Sequence, residues 1–171
     1  SGNQPRPGEM DLNLLRQQRI RILEESNADV INLIHPDVIG REDLYHRFAT
    51  TTLGKGILMQ SSTFVAPDDS QIGDYCQIEA GSMISHHVTL GKNVLVAPQC
   101  FVGPGAQLTI GNNSYIGAHT NWDFQHDPSI PLTVGENVTV WARSLVRKNI
   151  PDNSIHTDGE RVFKKRMNNG E

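Results

Sequence analysis

The chain has 171 residues, of which 37% are hydrophobic and 20% charged, the proportions of one modest globular domain able to bury a core. A net charge of −4 offers no basic field for nucleic acid or anionic lipid, and no stretch approaches a membrane span or a secretory leader, so a cytoplasmic protein without nucleic-acid or membrane partners is expected. Only 6% of the residues are aromatic, which suits a core of thin aliphatic layers.

Residues 11–27 read as an amphipathic helix in which Leu12, Leu15, Ile22 and Leu23 share one face, with Ile20 at its edge, while Arg21, Glu24 and Glu25 point away. Residues 29–34 read as a short apolar strand, stopped by His35-Pro36. One helix and one strand do not make a stable domain. Residues 1–50 therefore either pack on the rest of the chain or are the remnant of a larger α/β unit, and the opening Ser1-Gly2 would suit a cloning scar on a truncated chain.

A six-residue repeat then runs without a break from Ile72 to Gln107, opened by Ile72, Ile78, Ile84, Leu90, Val96 and Val102. Six is neither the period of a helix nor that of one strand, so each unit is a short strand ending in a turn, and three units close one triangular coil. The fifth places are also small or apolar, at Cys76, Ser82, Val88, Val94, Cys100 and Ala106, which gives two inward positions per side. After a two-residue slip the rhythm resumes at Ile110, Ile116 and Trp122, with Ser114 and Thr120 at fifth places. It returns at Val134, Val140 and Val146, with Val138, Ser144 and Ile150 in step. Upstream the frame is looser, at Leu53, Met59 and Val65. About five coils are expected over residues 51–155, interrupted by a protruding loop at 123–133 that carries two prolines, with 156–171 as a tail. Cys76 and Cys100 are one coil plus one side apart and fall on different walls, so two buried reduced thiols are expected rather than a disulfide.

The run Asn32-Leu33-Ile34-His35-Pro36, the repeats behind it, Met83-Ile84-Ser85-His86 and the closing Arg147-Lys148-Asn149-Ile150-Pro151 resemble the hexapeptide-repeat sugar acyltransferases related to sialic acid O-acetyltransferase and bacillosamine-pathway N-acetyltransferases. The resemblance covers roughly residues 11–153. It implies an all-β fold, a left-handed parallel β-helix, although the general rule for parallel crossovers favours a right-handed coil. It also implies a homotrimer, acetyl-CoA as acyl donor without a metal, and a sugar or nucleotide-sugar acceptor of bacterial surface polysaccharide synthesis.

Three features depart from that family. The glycine-rich first turn of its nucleotide-binding domain is missing, His87 stands where bacillosamine-pathway members place a glutamate, and the tail reads Asp158-Gly159-Glu160-Arg161 where the family has Gly-x-Pro-Ala.

Acyl transfer from a thioester needs a base for the incoming hydroxyl or amine, a donor for the oxyanion and a slot aligning both substrates. His86, at an outward third place, matches the family's base, with His87 as base or helper. Galactoside-type acetyltransferases carry their base just before a loop like Asn121-Trp122-Asp123-Phe124-Gln125-His126-Asp127, which keeps His126 and His119 open as rivals. Gly103, Gly117 and Ala118 are small residues that would open a groove for pantetheine or serve simple turn geometry, while Arg147, Lys148, Lys164 and Lys165 would face the CoA phosphates or only solvent. Two other classes remain. Zinc carbonic anhydrases share residues 131–140, but Ala142 and Arg147 replace the expected ligands. A trimeric module that has lost its site is the other.

Overall fold

The computed structural model describes residues 12–38, 50–66, 68–103, 107–123, 127, 129–157 and 161–164. Among the described residues one helix, α1 (Leu12–Glu25), precedes eighteen short strands, nearly all paired in parallel. The repeat becomes a three-walled prism. Wall A stacks β1 (Leu33–Ile34), β3 (Leu58–Met59), β6 (Gln77–Ile78), β9 (Leu95–Val96), β12 (Tyr115–Ile116), β15 (Thr139–Val140) and β17 (Ser154–Thr157), and is closed by the antiparallel β18 (Arg161–Lys164). Wall B holds β4 (Phe64–Val65), β7 (Met83–Ile84) and β10 (Phe101–Val102), then β13 (Asn121–Trp122) and β16 (Leu145–Val146). Wall C holds β2 (Thr52–Leu53), β5 (Gln71–Ile72), β8 (Val88–Leu90), β11 (Leu108–Ile110) and β14 (Leu132–Val134).

First-place residues stack into inward columns such as Met59, Ile78, Val96, Ile116 and Val140, all at 1% exposure or less. Fifth-place residues fill the corners. There Ser70, Ser82 and Ser114 tie coil to coil, each hydroxyl donating to a carbonyl of the next coil at 2.9–3.1 Å. Fourth places lie in the left-handed region, among them Tyr75, His87, Asn93, Gln99, Asn113, His119 and Asn137 at φ of 53–59°. That backbone lets a corner turn within two residues. Both thiols are buried and free, as the spacing implied.

The irregularities share one edge. On wall C the register runs Leu53, Ile72, Leu90, Ile110, Val134 and Ile150, intervals of 19, 18, 20, 24 and 16 residues. The corners from wall C to A and from A to B keep six residues throughout, so every insertion and deletion falls at the corner from B to C. Ile150, expected at a fifth place, is instead bridged to Val134, because this corner is two residues short in the last coil.

Two N-terminal expectations are corrected. The strand is only Leu33–Ile34, since pairing begins where the chain reaches β3. Helix α1 turns its polar side to the prism: Asn13 Nδ2 donates to Asn113 O (2.6 Å), Arg16 Nη2 to Tyr75 O (3.3 Å), and Glu24 takes Lys92 Nζ at 2.7 Å. The corner it covers offers turn carbonyls and Lys92 beside a groove that Ile20 lines with Leu58 and Tyr75, while Ile22 is 64% and Leu23 41% exposed. Among the described residues no helix is long and apolar enough to cross a membrane.

Candidate active site

The variable B-to-C edge carries the histidine pair. Ile84 and Val88 point inward, so the turn between them puts His86 and His87 outside, both exposed, with His87 in the left-handed conformation at φ 58°. The turn is pinned from the preceding coil, where the buried Ser70 hydroxyl donates to Ser85 O (3.1 Å) and accepts from Val88 N–H (3.0 Å). The two rings meet edge to face at 4.7 Å between centroids and share a hydrogen bond between their Nδ1 atoms, 2.5 Å apart. Nε2 of His87 lies 3.6 Å from Oδ2 of Asp69, on the same edge one coil earlier.

On the following coil, Gly103 sits against this turn. A Cβ built there would lie 2.5 Å from Ser85 Cβ, and its φ of +135° is one that side chains rarely adopt, so two independent constraints call for glycine. Ser85 N–H donates to Val102 O at 2.9 Å, but the equivalent bond from Gly103 to Trp122 is absent. Among the described residues Gly103, packed against Ser85 and Val88 on either side of the histidines, thus has a backbone N–H that is an unengaged donor.

The other sequence candidates divide between two edges. Lys148 is exposed on the B-to-C edge, beside Arg147, whose Nε is 3.3 Å from Asp123 Oδ2. Gly117, Ala118 and His119 lie on the A-to-B edge, so within one chain they do not face His86. Gly117 has a packing reason of its own: a Cβ there would lie 2.4 Å from Ala142 N and 2.8 Å from Val140 O. His119 is exposed at φ 59°. His126 lies outside the described residues.

Sequence reasoning missed Asp69 and the Gly103 amide. Asp69 had a signal: the interval from Val65 to Ile72 is seven residues instead of six, and that extra residue brings the carboxylate to its place. The Gly103 amide had none, because a broken ladder bond leaves no mark on residue type.

Residues 69–104 match the family Bacterial transferase hexapeptide (six repeats). Galactoside O-acetyltransferase from Escherichia coli (strain K12) is 24% identical over 143 residues, 72% of this chain and 68% of the relative. Among solved structures, PerB from Caulobacter crescentus, in complex with CoA and GDP-perosamine, superposes with a TM-score of 0.70 at 21% identity, covering 91% of this chain and 68% of that one. The acetyltransferase domain of PglB from Neisseria gonorrhoeae FA1090 gives 0.69 at 21% identity with the same coverage. WeeI from Acinetobacter baumannii AYE gives 0.70 at 19% identity, again covering 91% and 68%. The chain is a left-handed parallel β-helix of hexapeptide repeats, similar in repeat and fold to sugar acetyltransferases.

Proposed function

We propose that this protein transfers the acetyl group of acetyl-CoA to a sugar, a nucleotide-linked amino sugar of bacterial surface polysaccharide synthesis, with His86 as general base. The observation that carries the reading is the exposed His86 ring, held by His87, on a turn against which Gly103 packs with an unengaged N–H. Nε2 of His86 takes the acceptor's proton as its nitrogen attacks the thioester carbonyl, the Gly103 amide takes the oxyanion, and the CoA thiolate leaves with a proton returned from His86. No acyl-enzyme forms. The relatives support the substrate classes: the PerB complex contains CoA and GDP-perosamine, and the PglB domain has been solved with acetyl-coenzyme A.

In this reading residues 51–155 are the catalytic β-helix, and residues 1–50 are a separate helix-strand segment. Lys148 would meet the phosphates of CoA from its own edge. Gly117 and Ala118 would line the pantetheine groove only if the A-to-B edge of a neighbouring copy closes on the site, which makes the active form an oligomer. The protein works in the cytoplasm, where acetyl-CoA and nucleotide sugars are made.

A second reading, O-acetylation of a galactoside-type acceptor with His126 or His119 as base, is favoured by the curated relative. Kinetics of single variants separate the two. His86→Ala should lower kcat by roughly 10²–10⁴-fold with little change in acetyl-CoA affinity, while His126→Ala should mainly raise the acceptor's KM. The galactoside-type reading predicts the reverse ranking, and a fully active His86→Ala protein refutes the assignment. Mass spectrometry of a panel of nucleotide sugars incubated with acetyl-CoA identifies the acceptor.

A further inference from the structure

We propose that Asp69 is a positioning residue that sets the tautomer of the histidine pair, so that Nε2 of His86 carries the free lone pair. This role rests on His86 being the base. Its origin is the single extra residue in the first B-to-C corner, which places Asp69 beside His87 while Ser70 still fills the inward fifth place. Asp69 is fixed there by its N–H, which donates to Thr50 Oγ1 at 2.7 Å, and its φ is 47°.

A carboxylate only accepts, so Asp69, 3.6 Å from Nε2 of His87, favours the ring form with its proton on that nitrogen. At 3.6 Å the carboxylate acts through its charge rather than by a direct hydrogen bond. Nδ1 of neutral His87 is then an acceptor, and the Nδ1 to Nδ1 bond can be made only if His86 donates. His86 is left with an unprotonated Nε2, the form a base requires. When that atom takes the acceptor's proton, the imidazolium still donates to His87, and the Asp69 charge faces the pair. If His87 instead carried its proton on Nδ1, that N–H would donate to His86 and Nε2 of His86 would hold a proton, leaving no base. Among the described residues, the other charged groups on this edge are Asp68, next in the same corner, and, toward the far end, Asp127, the exposed Lys148 and the Arg147 to Asp123 pair; Gly103, on the intervening coil, is neutral.

Substitution of Asp69 separates this role from a merely structural one because the two rank the variants in opposite orders. Asn tolerates the left-handed conformation better than Ala, so a structural role makes Asp69→Asn the milder change. Its amide, brought within reach by a small side-chain rotation, can donate to Nε2 of His87 and reverse both tautomers, so the positioning role makes it the worse one. We expect kcat to fall about fivefold in Asp69→Ala and about tenfold or more in Asp69→Asn. KM for acetyl-CoA should stay unchanged, Asp69→Glu should recover activity, and Asp68→Asn, which removes the same charge, should match the wild type. Two-bond ¹H–¹⁵N spectra of histidine-labelled protein, taken with the rings neutral, should place the proton of His86 on Nδ1 and that of His87 on Nε2, and show both reversed in Asp69→Asn. The proposal is overturned if wild-type His86 is protonated on Nε2, or if kcat in the two variants follows their melting temperatures. Should His86→Ala prove active, the base assignment fails by itself, and the tautomer spectra still decide whether Asp69 sets the pair.

Discussion

Cys76 and Cys100 sit at equivalent inward fifth places, each Sγ donating to a carbonyl of the adjacent coil, Gly91 O at 3.0 Å and Gly117 O at 3.1 Å. Burial pushes both thiols up from 9.0 to about 11. A thiol with a raised folded-state pKa stays protonated in the native protein while the unfolded chain ionises, so its contribution is complete below pH 9.0 and is lost as pH rises toward about 11. Each thiol should therefore remove on the order of 2 kcal/mol across that window. Melting temperatures of the wild type and of a Cys76→Val, Cys100→Val double variant should diverge between those two pH values and run parallel below them. Iodoacetamide should label neither cysteine at neutral pH until the protein is unfolded. Parallel melting curves through the alkaline range would show that the thiols ionise in place.

At the scale of the element, the serine corners allow a test that separates folding from function. Ser70 and Ser82 make the same pair of bonds: Ser82 Oγ donates to Ala97 O (2.9 Å) and accepts from Cys100 N–H (3.2 Å), as Ser70 does with Ser85 and Val88. Either change to Ala strips two bonds from a buried corner and should cost about 1–3 kcal/mol, read as a shift in denaturation midpoint. Only Ser70→Ala releases the turn that carries His86 and His87, so kcat should fall in that variant and hold in Ser82→Ala, both assayed well below their melting points. Equal kcat in the two would remove Ser70 from the site. The same corners explain how much of the fold is legible in the sequence. Ile78, Ile84 and Leu90 announce the prism because each side has only two inward places, and a polar intruder there is costly. The spacing of Ile110 after Val102 shows that a slip occurs, but not that every slip lies on one edge, since three edges look alike until the strands are paired. Helix α1 departs from its own pattern for a related reason. An apolar stripe ordinarily faces a core, but a β-helix has already buried its core inside the coils, and the outer corner offers a helix carbonyls and the Lys92 ammonium with only a shallow groove for Ile20.

The whole molecule shows three unlike faces. Wall C presents Thr52, Gln71, Thr89, Thr109 and Thr133 outward, a polar row suited to water, while wall A runs beside α1 and ends under β18. Wall B presents Phe64, Met83, Phe101, Asn121 and Leu145, with Met83 40% exposed, and it borders the edge that bears His86, Gly103 and Lys148. An outward row with two phenylalanines and a methionine is a poor surface to leave in water, and a closed threefold ring of identical chains would bury it while bringing the edge of one copy against the next. We therefore expect light scattering to give three times the chain mass at micromolar concentration. Phe101→Glu, which buries a charge at such a contact, should give a monomer with its coils intact by circular dichroism. Because His86 shares no edge with Gly117 and Ala118 within one chain, that monomer should also lose turnover, although His86, His87 and Asp69 are untouched. A stable wild-type monomer would sink the ring and the shared cleft together. A monomeric Phe101→Glu protein with full turnover would keep the ring and confine the site to the B-to-C edge of a single chain.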